Sequence, residues 1–131
     1  MFIDIRKLDK PIENVAVEMD NFQQIRSFTL KNSQCSYKLI AVGDCCSFSI
    51  FKVKEQPFTF FEGKIIETIE EIDFPELYEF DDIKQNDDYY ASPHLYQISF
   101  KDVEEKFEFM LINYSNGYYD GWIEAVEITD E

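Results

Sequence analysis

The chain has 131 residues, 45% of them hydrophobic and 17% aromatic, and a formal net charge of −15. That length predicts one domain spanning 1–131, with a core large enough to need neither disulfides nor metal. Residues 1–56 hold eight Lys/Arg and seven Asp/Glu (8 − 7 = +1), whereas residues 57–131 hold four and twenty (4 − 20 = −16), a field that disfavours bare nucleic acid and anionic lipid as ligands.

No basic leader followed by an apolar run opens the sequence, and no stretch approaches the ~18 apolar residues of a membrane span. The expectation is a cytoplasmic protein, in the host cytoplasm if the source is a phage or virus. Cys35, Cys45 and Cys46 are odd in number and two are adjacent, which predicts reduced thiols.

In chain order, Phe2 to Ile5 alternates apolar and polar like a short strand, and Pro11 ends it. Val15, Val17 and Met19 alternate in the same way. Ile25, Phe28 and Leu30 mark a strand that stops at the Asn32-Ser33 turn signal. Ser36 to Val42 and Cys46 to Val53 flank Gly43-Asp44 and predict an antiparallel hairpin, with Phe48 and Ile50 on one face and Ser49 and Phe51 on the other. Pro57 to Gly63 is an aromatic connection.

Lys64 to Phe74 is ambiguous. Ile65, Ile66, Ile69 and Ile72 have helical spacings, yet β-branched residues also suit an edge strand. Residues 79–92 are acidic and polar and predict a long exposed loop. Leu95 to Lys101 and Lys106 to Tyr114 alternate as strands around a loop at Asp102 to Glu105. Asn116-Gly117 is suited to a type I′ turn leading into a third strand, Tyr118 to Ile128. The predicted fold is mainly β (α+β remaining open): antiparallel hairpins, a C-terminal three-stranded meander and at most one or two short helices.

Two patches stand out together, Gly43-Asp44-Cys45-Cys46-Ser47 and Asn113-Tyr114-Ser115-Asn116-Gly117-Tyr118-Tyr119. Their pairing resembles a family of small bacterial and phage proteins, a domain of unknown function with an Asp-Cys-Cys stretch and a Ser-Asn-Gly-Tyr-Tyr stretch. The resemblance covers roughly residues 25–128, and Ser47 departs from it where an acidic residue is usual. It implies a fold neighbourhood and a microbial or viral setting, with no activity or cofactor attached. The residues themselves admit a structural role: Asp44 capping a turn, a cysteine packing as a small hydrophobe, and Asn116-Gly117 setting hairpin register.

Catalytic and metal chemistry find little footing. Cys45 or Cys46 with His94 and Asp44 would make a thiol dyad with an orienting acid, but no flanking motif accompanies them. No Cys-x-x-Cys, His-x-x-x-His, calcium-loop or phosphate-loop pattern occurs. The expectation is no enzyme activity, no metal and no cofactor.

The functional expectation rests on the acidic and aromatic half. Glu67, Glu70, Glu71, Glu79, Asp81, Asp82, Asp87, Asp88, Tyr89 and Tyr90 are the predicted partner-binding residues, since carboxylates accept bidentate bonds from Arg and tyrosines give rigid contact area. The predicted partner is a basic protein, a nuclease or other nucleic-acid-binding protein, that the chain would inhibit as a nucleic-acid mimic in a counter-defence or immunity role. The alternative is a small-ligand protein for a nucleotide signal, with a pocket of Asp44, Asn116, Tyr118, Tyr119 and Trp122.

Overall fold

The computed structural model describes residues 8–43, 47–53, 57–73, 90–115 and 121–128. Their architecture is mainly antiparallel β. The strands are β1 (Asn14–Met19), β2 (Ile25–Lys31), β3 (Ser36–Gly43), β4 (Phe48–Val53), β5 (Ile66–Ile72), β6 (Tyr90–Phe100), β7 (Val103–Ser115) and β8 (Gly121–Ile128). One turn of 3-10 helix, Phe58–Phe61, is the helical element among the described residues.

The sheet runs β5-β6-β7-β4-β2-β3-β8, with β1 on the free flank of β2. It behaves as two four-stranded layers, β1-β2-β3-β8 and β5-β6-β7-β4. Among the described residues one strand pair, Ile25 opposite Phe51, joins them where β3 turns away from β2. The curl brings the inner faces of the layers together. Phe28 and Leu30 of β2 and Leu39 of β3 meet Phe51 of β4, Ile98 of β6 and Phe107, Phe109 and Leu111 of β7 in one buried cluster. The helical turn adds Phe61, and the segment before β1 adds Leu8 and Ile12. Ile12 is held there by backbone bonds to Lys64 (2.9 Å) and Gly63 (2.8 Å).

Strict alternation explains these faces. In β7, Phe107, Phe109 and Leu111 point inward while Met110 and Ile112 point out and join Ile50 and Leu95 in a second buried cluster. β5 resolves the ambiguity of its sequence. It is a strand with a register shift between Ile66 and Thr68, and that extra residue lets Ile66 and Ile69, three apart, both reach the inner core. Ile72 falls on the opposite face, against the second cluster. The helical spacing is therefore a bulged strand serving two faces.

Four expectations about connectivity and loop extent are corrected. β3 and β4 do not pair: β3 lies between β2 and β8, and β4 between β7 and β2. The C-terminal strands form no meander, because β6 and β7 pair with each other while β8 pairs with β3 along its whole length, from Gly43 opposite Gly121 to Ser36 opposite Ile128. The long loop ends earlier than expected. Tyr90 already pairs with Ser115, so β6 includes 90–92, while 79–89 lie outside the described residues. Pro93 of β6 lies two residues beyond the last described pair with β5, Ile72 opposite Leu95, where a proline interrupts no described β5–β6 pairing. The β6–β7 turn is also tighter than the loop expected at 102–105. It contains Lys101 and Asp102, and Asp102 takes φ +60°, a conformation aspartate accepts more readily than most residues.

The β1–β2 turn is built on Asp20. Its Oδ1 accepts from the N–H of Phe22 (2.9 Å) and of Gln24 (3.0 Å), and its carboxylate lies 3.8 Å from Arg26. On the outer face nearby, Glu18 accepts from Lys38 Nζ at 3.1 Å and Ser27 Oγ at 3.2 Å. The Lys38 hydrogen bond, then that from Ser27, then the Lys38 charge hold the Glu18 carboxyl below the usual range. We expect Lys38→Met to raise the Glu18 titration midpoint, read by NMR of its side-chain carbonyl. A lowered folded value makes the contribution present above the ordinary glutamate pKa and lost as pH falls through the lowered one, so the variant loses that part of its acid sensitivity.

Candidate functional site

The acidic stripe is built on β5. Glu67 is exposed, Glu70 and Glu71 are partly so, and Asp73 is exposed just past the strand's end. Lys101 N–H bonds Ile65 O at 2.8 Å and Ile66 pairs with Phe100, which sets the β6–β7 turn beside the start of β5. Asp102, Glu104 and Glu105 of that turn region are exposed there. These acids run along one margin of the molecule over roughly 20 Å, from the strand rise. Among the described residues, Glu67, Glu70, Asp73, Asp102, Glu104 and Glu105 have no Lys or Arg within ion-pair reach. Glu124 lies on β8, at the opposite end of the strand order, so the acids of the second half do not all share one face.

Two of the sequence-predicted residues have other surroundings. Glu71 Oε2 lies 2.9 Å from His94 Nδ1, within hydrogen-bond distance, the two side chains being 33% and 25% exposed. His94 sits in strand β6 opposite Leu111, not in a loop. Tyr90 opens β6. Glu79, Asp81, Asp82, Asp87, Asp88 and Tyr89 lie outside the described residues, as do Cys45 and Cys46.

The two sequence patches converge at one end of the curl, through residues that flank their centres. Asn113 is fully buried on the inner face of β7. Its Nδ2 donates to Ser49 Oγ (3.0 Å), Ser47 Oγ (3.2 Å) and Phe48 O (3.4 Å), and Ser49 Oγ donates to Val42 O (2.9 Å). Asn113 Oδ1 is buried with no hydrogen-bond partner among the described residues. The fit requires glycine on the facing pair. A Cβ at Gly121 would overlap Ser49 Oγ and lie 2.8 Å from Val42 O, and one at Gly43 would lie 2.7 Å from Ser47 Oγ. This polar node ties β7 and β4 to β3 and β8 where the layers diverge.

Sequence reasoning passed over Asn113 and Ser49, although the signal was available. Both sit at inward positions of alternating strands, after Phe109 and Leu111 in one and before Phe51 in the other, where an apolar residue is the default. Trp122, predicted to line a pocket, is 41% exposed on the outer face of β8 opposite Val42, away from the node. Its expected companions Asp44, Asn116, Tyr118 and Tyr119 lie outside the described residues. A shallow cleft of about 240 Å³ opens elsewhere, at the β2–β3 turn, lined by Lys31, Asn32, Cys35, Glu127 and Ile128 among others. Among the described residues, no three His, Cys, Asp or Glu side chains gather as a metal site, and no helix is long and apolar enough to cross a membrane.

Fold and site thus define an acidic, mainly antiparallel β protein with a carboxylate margin and a buried polar node. Comparison with protein-family models, curated proteins and solved structures returns no match.

Proposed function

We propose that this chain is a non-catalytic acidic interaction protein whose carboxylate margin docks on a basic macromolecule and blocks it. The observation carrying this reading is the run of acids from the β6–β7 turn along β5 with no Lys or Arg partner among the described residues. Unpaired surface carboxylates at strand spacing steer a cationic surface into place and accept its Arg and Lys donors, at little cost in broken internal pairs. A protein groove that normally holds nucleic-acid phosphates has the complementary sign and spacing, so a nuclease or another nucleic-acid-binding protein is the partner class. The small-ligand alternative has less support, since Trp122 turns outward, away from the buried polar groups.

Capture of host proteins on the immobilised chain tests the reading. A basic protein held at low salt and released at high salt is the expected result. The triple variant Glu67→Lys, Glu70→Lys, Asp73→Lys, folded by circular dichroism, should lose that partner by more than about tenfold in affinity. Equal capture by the variant removes the proposal.

A further inference from the structure

We propose that β8 is a self-association strand, pairing antiparallel with β8 of a second copy so that the two β1-β2-β3-β8 layers become one continuous sheet. β8 hydrogen-bonds to β3 on one side, and among the described residues its other edge pairs with nothing. The strand is also exposed. Trp122, Glu124, Ala125, Val126 and Ile128 are all exposed, Ala125 even though its β3 neighbour Leu39 is buried. The edge of a sheet offers N–H and C=O groups to another strand.

The side chains choose the occupant. On the outer face Trp122, Val126 and Ile128 are 41%, 37% and 37% exposed, and their β3 neighbours are Val42, Lys38 and Ser36. A register centred on Ala125 sets Trp122 of each copy opposite Ile128 of the other, Glu124 opposite Val126, and Ile123 opposite Glu127. Every residue from Trp122 to Ile128 is then paired. Trp122, Val126 and Ile128 of both copies form one apolar belt that continues into Val42, and no carboxylate opposes a carboxylate. A register centred on Glu124 opposes two carboxylates directly, which is destabilising. One centred on Val126 carries Trp122 past Ile128, the last described residue of the facing strand. The strand is therefore complementary to itself in one antiparallel arrangement, the isologous contact of a two-fold dimer.

Each copy carries a formal charge of −15, so association works against long-range repulsion that salt screens. Dimerisation is expected to strengthen with salt, the opposite trend to capture of a basic partner, and the two inferences stand or fall separately. Sedimentation equilibrium over about a hundredfold range of protein concentration, at low and high salt, gives the first readout. The expected result is a monomer–dimer equilibrium shifted to dimer by salt. Val126→Glu should raise the dimer dissociation constant at least about tenfold, because it sets a carboxylate opposite Glu124 of the other copy at two places in the interface.

Ala125→Cys gives the second readout. Position 125 meets its own copy on the two-fold axis, within the Cα separation a disulfide needs. Mild oxidation should cross-link that variant through position 125, identified by peptide mass mapping, whereas Glu124→Cys should not form the corresponding bond. A monomer at every concentration and salt, a dimer indifferent to Val126→Glu, or cross-linking as efficient at 124 as at 125 overturns the proposal.

Discussion

Replacing Phe28 with alanine is expected to remove about 3–5 kcal/mol of unfolding free energy, the largest effect of a single truncation in this core. Phe28 is fully buried on β2, and its ring centroid lies 5.0 Å from Phe51, 5.4 Å from Phe109 and 5.7 Å from Phe58. The first two contacts are edge-to-face, the geometry that aromatic quadrupoles favour. They also join the two layers beside the backbone pair of Ile25 and Phe51. Loss of the ring leaves a cavity between layers that the stiff strands on either side cannot close. Urea unfolding followed by tyrosine and tryptophan fluorescence measures the loss. Phe22→Ala is the matched control, since Phe22 is 84% exposed at the tip of the β1–β2 turn and should change stability by no more than about 0.5 kcal/mol. Similar losses at both positions would mean that Phe28 does not hold the layers together.

Strand-level information was legible in the sequence because alternation is local. The inward set Phe107, Phe109 and Leu111 and the outward pair Phe48 and Ile50 are visible from spacing alone. Pairing is not local, and the errors lie there. Gly43-Asp44 and Asn116-Gly117 are good turn signals, yet the strands before and after each part company, because alternation says which face a strand buries and nothing about its neighbour. What selects β8 as the neighbour of β3 is a fit only the folded chain reveals: Gly43 and Gly121 facing each other beneath Ser47, Ser49 and Asn113. The bulge in β5 misled in another way, by converting two-residue alternation into three-residue spacing at Ile66 and Ile69. Charge count in the second half was equally plain, but its distribution depends on topology. Because β5 and β8 end the sheet at opposite sides, Glu67 and Glu124 share a charge sign and no surface.

The polar node gives the second large effect, at Asn113→Asp. The amide is fully buried, and its nitrogen supplies hydrogens to two serine hydroxyls and to the Phe48 carbonyl. A carboxylate of the same shape donates none of them and brings negative charge against that carbonyl, and its described hydrogen-bond partners, Ser47, Phe48 and Ser49, include no cation. An uncompensated buried charge costs about 3–5 kcal/mol, and that is the deficit expected at neutral pH. The sign of its pH dependence identifies the cause. Burial raises the pKa of the introduced group above its unfolded value of about 3.9, so the native state binds its proton more tightly than the unfolded chain does. The deficit relative to wild type is therefore full above the raised folded value and shrinks as pH falls toward the unfolded one. Asn113→Leu separates charge from lost bonding. It leaves the Phe48 carbonyl and the serine hydroxyls without their donor, costs about 1–3 kcal/mol, and shows no such pH dependence. Parallel denaturation of the three proteins between neutral and acid pH measures both differences. A constant gap between Asn113→Asp and wild type over that range would mean that the carboxylate reaches water, and that the junction of the two layers opens more readily than its packing implies.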